Sequence, residues 1–262
     1  MRTICIIQAR MDSSRLPGKV LTDISGKPML AHVIERAIAI QGVDDVVVAT
    51  TMDPEDAPIT ALASSSGALT FAGHTTDVLD RYYQAATRFE AEAIVRLTAD
   101  CPLLDPVLCE EILDRFTAGD WDYVSNVMPA TFPDGLDTEV IAYRALKKSW
   151  EVAILPSDRE HVTTYIRTNP ELFRVSNVAQ ETNLSHIRWT VDEPDDLEFI
   201  RAVFENLPET GIQFPSMNAI LGMLKDRPDI AALHPDHSRN EGWATSIAAD
   251  QTTREPNMED SA

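Results

Sequence analysis

Four short apolar runs govern how the first half of this chain can fold: residues 3–7 (TICII), 45–50 (DVVVAT), 68–72 (ALTFA) and 93–97 (AIVRL). Each is bounded by polar residues and too short for a helix, so each reads as a strand buried on both faces. Between the runs the period becomes helical. Leu30, Val33, Ile34, Ala37 and Ile38 recur at helical spacing behind Pro28, and 57–66 and 78–89 also read as helices. Leu108, Ile112, Leu113 and Phe116 mark the next one. Strands alternating with helices of this length require βαβ crossovers, and hence an α/β fold with a mostly parallel central sheet. Ligands bind such sheets beyond the carboxyl ends of the strands. The polar loop from Gln8 to Lys19 and the residue Asp100 both fall at such ends.

The second half is less regular. Residues 123–126 and 138–142 read as strands flanking the loop Pro133-Asp134-Gly135-Leu136-Asp137. A helix is predicted over 157–168, then a strand at Ile187-Arg188-Trp189. An amphipathic helix over 195–206 places Leu197, Ile200, Phe204 and Leu207 on one face, with Asp195 as its expected cap. A last helix is predicted over 216–226. From about His234 large apolar residues become sparse, so one domain is expected over 1–234 and a polar, flexible tail over 235–262.

Charge narrows the choice of partner. The 262 residues carry 22 basic and 42 acidic side chains, a net charge of −20. That argues against a nucleic-acid binder, which needs a cationic surplus for phosphate, and against an acidic membrane surface. No stretch approaches a spanning helix and the start lacks a signal-peptide core, so a soluble, cytoplasmic protein is expected. Cys5, Cys101 and Cys109 are widely spaced with no CxxC pair, which fits reduced thiols. The acidity is uneven, however: residues 1–36 hold six basic and three acidic groups, a local +3. A positive island in an acidic chain marks a focused anion site.

The island centres on Ala9-Arg10-Met11-Asp12-Ser13-Ser14-Arg15-Leu16-Pro17-Gly18-Lys19. Arg10, Arg15 and Lys19 among small residues would surround a polyphosphate with charge, leaving backbone N–H groups around Ala9, Ser13 and Ser14 free to donate. The segment is neither a P-loop nor a GxGxxG dinucleotide turn. Asp100 and Asp192 are hard oxygen donors at loop positions and suit Mg²⁺ beside phosphate; for Asp192 a helix-capping role is the alternative. Asp134, Asp137 and Glu139 would accept hydrogen bonds from sugar hydroxyls or form a solvated turn. Glu160 and His161, after Arg159, would meet a sugar or join a salt-bridge network. Arg81 follows Asp77 by four residues, an ordinary helix pair, and Cys101 reads as a buried thiol.

Read together, the loop and the segments DVLDRYY (77–83), VRLTADCPL (95–103), YVSN (123–126), PDGLDTEV (133–140), REHVT (159–163) and RWTVDEPDDL (188–197) resemble the spore coat polysaccharide biosynthesis protein F family. That family is related to CMP-KDO synthetase and acylneuraminate cytidylyltransferase, and the likeness covers about residues 1–226. The resemblance implies a three-layer nucleotide-diphospho-sugar transferase fold and transfer of CMP from CTP to a sugar or sugar acid with release of pyrophosphate. It also implies triphosphate contacts from Arg10 and Lys19, added charge from Arg15, a nucleotide-side place for Arg81, and Mg²⁺ held by Asp100 and Asp192. Related synthetases are often dimers, so a homodimer is expected. Alternatives are a glycosyltransferase or sugar-1-phosphate nucleotidyltransferase on the same fold, or a nucleotide-binding protein without turnover.

Overall fold

The apolar runs pair side by side. A computed structural model describes residues 1–13, 15–207, 214–239 and 241–254. The chain opens with β1 (Thr3–Gln8), a two-stranded ribbon of β2 (Asp23–Ile24) and β3 (Lys27–Pro28), and α1 (Met29–Ile38). It continues through β4 (Asp45–Thr51), α2 (Ala57–Ser65), β5 (Leu69–Gly73), α3 (Val78–Arg88), β6 (Ala93–Thr98) and α4 (Pro106–Thr117). The second half adds β7 (Tyr123–Ser125), β8 (Glu139–Ala142), α5 (Tyr143–Val152), α6 (Pro156–Glu160), α7 (Thr164–Thr168) and β9 (Val175–Asn177). Four helices follow: α8 (Pro194–Glu205), α9 (Met217–Asp226), α10 (Pro228–Ala231) and α11 (Glu241–Arg254).

Seven strands form one sheet in the order β5-β4-β1-β6-β8-β7-β9. All neighbours are parallel except at β8, which runs against both β6 and β7. Thr3 to Ile7 of β1 are buried, which is why that run shows no polar alternation. Right-handed crossovers place α1 and α2 on one face and α3 on the other; accordingly α1 packs on α2, and α3 on α5 and α6. Strand order switches direction between β1 and β6, so the loops leaving Gln8 and Thr98 part there and open a crevice.

Four local expectations are corrected. The helix predicted over 157–168 is two short ones, α6 and α7, because buried Val162 between them adopts φ 58°, a conformation a β-branched residue takes only under tertiary constraint. The strand predicted at 187–189 is a single parallel bridge between Asp134 and Arg188. Helix α8 is capped by Glu193 rather than Asp195, and its capping box is completed by Asp196, whose carboxylate accepts from the Glu193 N–H at 2.9 Å. The stretch expected as a flexible tail contains α11, which packs on α6. Among the described residues, no helix is long and apolar enough to cross a membrane.

The far side of the sheet carries a structural ion cluster with a measurable pH signature. Asp122, just before β7, accepts from Arg144 Nε at 2.6 Å, from the Arg174 N–H at 2.9 Å and from Arg174 Nε at 3.2 Å. Burial opposes the Asp122 charge, but these donors prevail and hold its carboxyl at about 2. Since this lies below the ordinary value, the stabilisation is full above about pH 4 and is lost as pH falls through about 2. Asp122→Asn is therefore expected to cost about 1.5–3 kcal/mol at pH 7. In thermal melts the difference from wild type should shrink steadily between about pH 4 and pH 2; a gap that stays constant would contradict this.

Candidate active site

The loop of residues 9–18 is shaped by a buried carboxylate beneath it. Asp56 accepts from the Met11 N–H at 2.7 Å, from Thr51 Oγ1 at 2.5 Å and N–H at 3.2 Å, and from Thr50 Oγ1 at 3.1 Å. Burial opposes the Asp56 charge, yet these donors hold its pKa below the ordinary range. At its far end the loop closes on itself, with the Gly18 N–H donating to Met11 O at 3.0 Å. Gly18 has φ 72°, a turn conformation that glycine adopts at little cost and that directs Lys19 inward.

Lys19 is the junction of the site. Its Nζ donates to Asp100 Oδ2 at 2.9 Å, Asp192 Oδ1 at 2.7 Å and Val191 O at 2.9 Å. Burial would lower the Lys19 pKa, but the two carboxylates raise it above its usual value, so it stays charged. Burial likewise opposes the Asp100 charge; Lys19 and the Thr98 hydroxyl overcome this and hold Asp100 at about 2. Asp100 follows β6 by two residues, and Asp192 is brought beside it because the Val191 N–H donates to Asp100 O at 2.9 Å. Arg15 lies 3.2 Å from both Asp192 and Glu193.

Behind Asp192 stands Arg188, a residue not singled out among the sequence candidates. It is 4% exposed and donates to Asp196 at 2.7 and 3.0 Å, to Asp192 at 3.0 Å and to Asp134 at 3.5 Å. Its signal in the sequence was an arginine four and eight residues ahead of aspartates. A glycine makes this layer possible: at Gly135 (φ 100°) a Cβ would come within 2.6 Å of the Trp189 backbone.

The positive island divides. Arg10, Arg15 and Lys19 reach the crevice, whereas Arg2 pairs with Asp45, Lys27 with Glu35, and Arg36 donates to Leu104 O. Arg10 is exposed and has no ion pair among the described residues. Arg81 does not pair with Asp77: its guanidinium donates to His74 O and Thr75 O, while Asp77 caps α3 and takes Arg159 at 2.9 and 2.5 Å. Arg81 thus braces the 74–76 turn from the floor of the crevice. Ser14 lies outside the described residues; Ala9 and Ser13 line the crevice.

Two spaces meet at the Lys19 clamp. One is a cleft of about 850 Å³ lined by Arg10, Ser13, Arg81, Glu160 and His161 among others. The second, of about 240 Å³, is lined by Asp134, Asp137 and Glu139. Arg15, Asp100, His161 and Asp192 border both. Within the smaller space Glu139 is held by Arg96 from β6, Thr163 Oγ1 at 2.7 Å and the Tyr123 hydroxyl. Burial and neighbouring Asp137 push Asp134 up to about 7 against the pull of Arg239 and Arg188. Cys101 is a buried free thiol whose pKa burial raises, as fits a packing role.

Asp100 and Asp192 fit a divalent cation: both are hard oxygen donors and both already converge on one cationic nitrogen. Asp195, Asp196 and His237 also offer ligand atoms within 4.8 Å of one another. There, however, Asp196 is already taken by Arg188 and by the N–H groups of Asp192 and Glu193.

A cationic loop at the sheet's switch point, facing paired carboxylates and a second polar space, defines a nucleotide-handling α/β protein. Comparison with known proteins makes the class specific: the chain belongs to the cytidylyltransferase family, whose sequence profile matches residues 4–213. It is 32% identical over 237 residues to the spore coat polysaccharide biosynthesis protein SpsF of Bacillus subtilis (strain 168), covering 86% of this chain and 95% of that protein. It is also 37% identical over 116 residues to a 3-deoxy-manno-octulosonate cytidylyltransferase of Anaeromyxobacter dehalogenans (strain 2CP-C), covering 44% of this chain and 47% of the relative. Among solved structures, a cytidylyltransferase from Leptospira borgpetersenii serovar Hardjo-bovis (strain JB197) superposes with TM-score 0.84 at 30% identity, over 91% of this chain and all of that one. The three-layer nucleotide-diphospho-sugar transferase fold expected from the sequence is the fold observed.

Proposed function

We propose that this protein transfers CMP from CTP to a hydroxyl of a sugar or sugar acid, releasing pyrophosphate. The observation that carries the reading is the Lys19 clamp on Asp100 and Asp192 at the meeting point of the two spaces. The larger cleft suits the nucleotide. Arg10 and Arg15 at its mouth and Lys19 at its inner end neutralise the triphosphate, with backbone N–H groups near Ala9, Ser13 and Ser14 as further donors. The smaller space suits the acceptor, oriented by Asp134, Asp137, Glu139 and His161. Glu160, on the cleft side, completes the contact surface between them. Asp100 and Asp192 would hold Mg²⁺, which supplies charge neutralisation at the phosphates.

The sugar hydroxyl attacks the α-phosphorus in line, the α–β phosphoanhydride bond breaks, and pyrophosphate leaves. Positioning and fixed charge suffice, without a covalent intermediate. The name of the Bacillus subtilis relative supports a product destined for polysaccharide assembly; a cytoplasmic location belongs to this reading because CTP is made there. A homodimer is retained from the resemblance as part of this reading.

The test is pyrophosphate release from CTP with Mg²⁺ across a panel of free sugars and sugar acids that includes 3-deoxy-manno-octulosonate. Asp100→Asn is expected to lower turnover by about 10²–10³-fold, the scale of losing one preorganised charge contact. Chelation with EDTA should stop the reaction and Mg²⁺ restore it. Full activity of Asp100→Asn would end the assignment.

A further inference from the structure

The smaller space is closed on its outer side by residues beyond the family match. That match ends at residue 213, whereas Ser238, Glu241, Gly242 and Trp243 line the space. The segment is fastened residue by residue to the parts that build the site. Arg239 pairs with Asp137 and donates to Phe132 O at 3.1 Å, on either side of the Pro133–Leu136 turn. Trp243 Nε1 donates to Thr164 Oγ1 at 3.1 Å, at the start of α7. Ser246 Oγ donates to Glu160 at 2.9 Å and lies 3.0 Å from His161 Nε2. Buried Asp250 accepts from the Ser157 N–H at 3.4 Å.

Arg167 supplies an independent observation. It lines the same space, and its Nε is buried without a hydrogen-bond partner. Among the described residues its guanidinium forms no ion pair; it stands over the Trp243 ring, 4.8 Å from the centroid. A guanidinium with one buried donor unspent, standing against an indole face, has that donor available to a ligand in this space. Every other arginine of this space has carboxylate partners: Arg15, Arg96 and Arg188 are all ion-paired.

We infer that Trp243, on the segment that Arg239 fastens to Asp137, forms the outer wall of the acceptor compartment and sets the size of the sugar it admits, with Trp243 holding Arg167 toward that sugar. The inference rests on the cytidylyl-transfer reading. A space of about 240 Å³ is on the scale of a single sugar unit. The wall is therefore a specificity device built from a segment that composition alone marks as a tail.

Cys101 reports on the wall without any ligand, because it lines this space while Cys5 and Cys109 are fully buried elsewhere. N-ethylmaleimide modification of the full-length protein, followed peptide by peptide by mass spectrometry, is expected to be at least tenfold faster at Cys101 in Trp243→Ala than in wild type. Cys5 and Cys109 should stay unreactive in both, which shows the fold intact. CTP affinity with Mg²⁺ should remain within twofold. With the sugar that wild type turns over fastest in the panel, Trp243→Ala should raise KM for the sugar at least tenfold and leave KM for CTP within twofold, and Trp243→Phe should restore it. Unchanged Cys101 reactivity, or equal loss of CTP and sugar affinity, overturns the inference. Absence of CTP binding by wild type overturns the transferase reading itself, while the cysteine rates still report whether the wall exists.

Discussion

Lys19→Ala is expected to abolish pyrophosphate release and, unlike loss of a surface lysine, to destabilise the protein. The side chain is 11% exposed and is the shared partner of two carboxylates and a backbone carbonyl. Removing one member of a buried ionic group leaves the others uncompensated, a loss on the order of 3–5 kcal/mol. Asp100 and Asp192 retain some contact with water, which places this case near 3 kcal/mol, or roughly 6–12 °C in melting temperature for a domain of this size. From the sequence alone, the same substitution reads as catalytically fatal but structurally silent; burial of the ammonium changes that. The double variant Lys19→Ala/Asp192→Asn separates the two effects, since it should recover part of the melting temperature and none of the turnover. Wild-type turnover in the single variant would refute the role given to Lys19.

Arg188→Ala should be the more damaging change to stability. Three carboxylates converge on this guanidinium, and two of its contacts are at or below 3.0 Å to Asp196, which is itself buried. The expected loss is about 3–5 kcal/mol. Arg188→Lys should rescue little of it, because an ammonium cannot reproduce a planar fork that reaches several acceptors at once. The penalty also has a pH sign. Burial and Asp137 already hold Asp134 at about 7, and Arg188 is one of the cations restraining that rise. A carboxyl raised above its unfolded value favours folding below about pH 4 and loses that contribution as pH climbs through about 7. Without Arg188 the charged form of Asp134 becomes costlier, so the variant should lose more stability at pH 8 than at pH 5. Equal losses at both would show that Asp134 is not coupled to Arg188.

How much of this was legible in the sequence depended on which forces shape each segment. The strands of the parallel half were readable because burial on both faces writes itself as an uninterrupted apolar run. Arg10 and Asp100 stand out in the sequence because they follow the runs that form β1 and β6, and the fold gathers them with Arg15, Lys19 and Asp192. What stayed hidden is fixed by long-range pairing. Whether Arg36 faces the crevice or donates to Leu104 O is decided by the loop that leads into α4, not by the charge of residues 1–36. Arg81 looked committed to Asp77 at helical spacing, but Arg159 from 82 residues away holds that carboxylate. Helix α11 has no apolar stripe of its own to announce it; Trp243, Ser246 and Asp250 dock it by polar contacts on partners at least 79 residues earlier.

The one strand that runs against its neighbours has a consequence for how such a protein can diversify. Because β8 is reversed, residues 126–138 enter and leave the sheet on the same edge as the loops after β1 and β6. They span the end of β7 and the start of β8 as a single excursion. The larger cleft is bordered by loops that follow crossover strands, so an insertion there must be absorbed by helices on both faces. The smaller space is bordered by a hairpin-like detour that can lengthen or shorten with the sheet register kept. One space is thereby tied to the crossovers of the sheet, while the other can be reshaped through a single excursion.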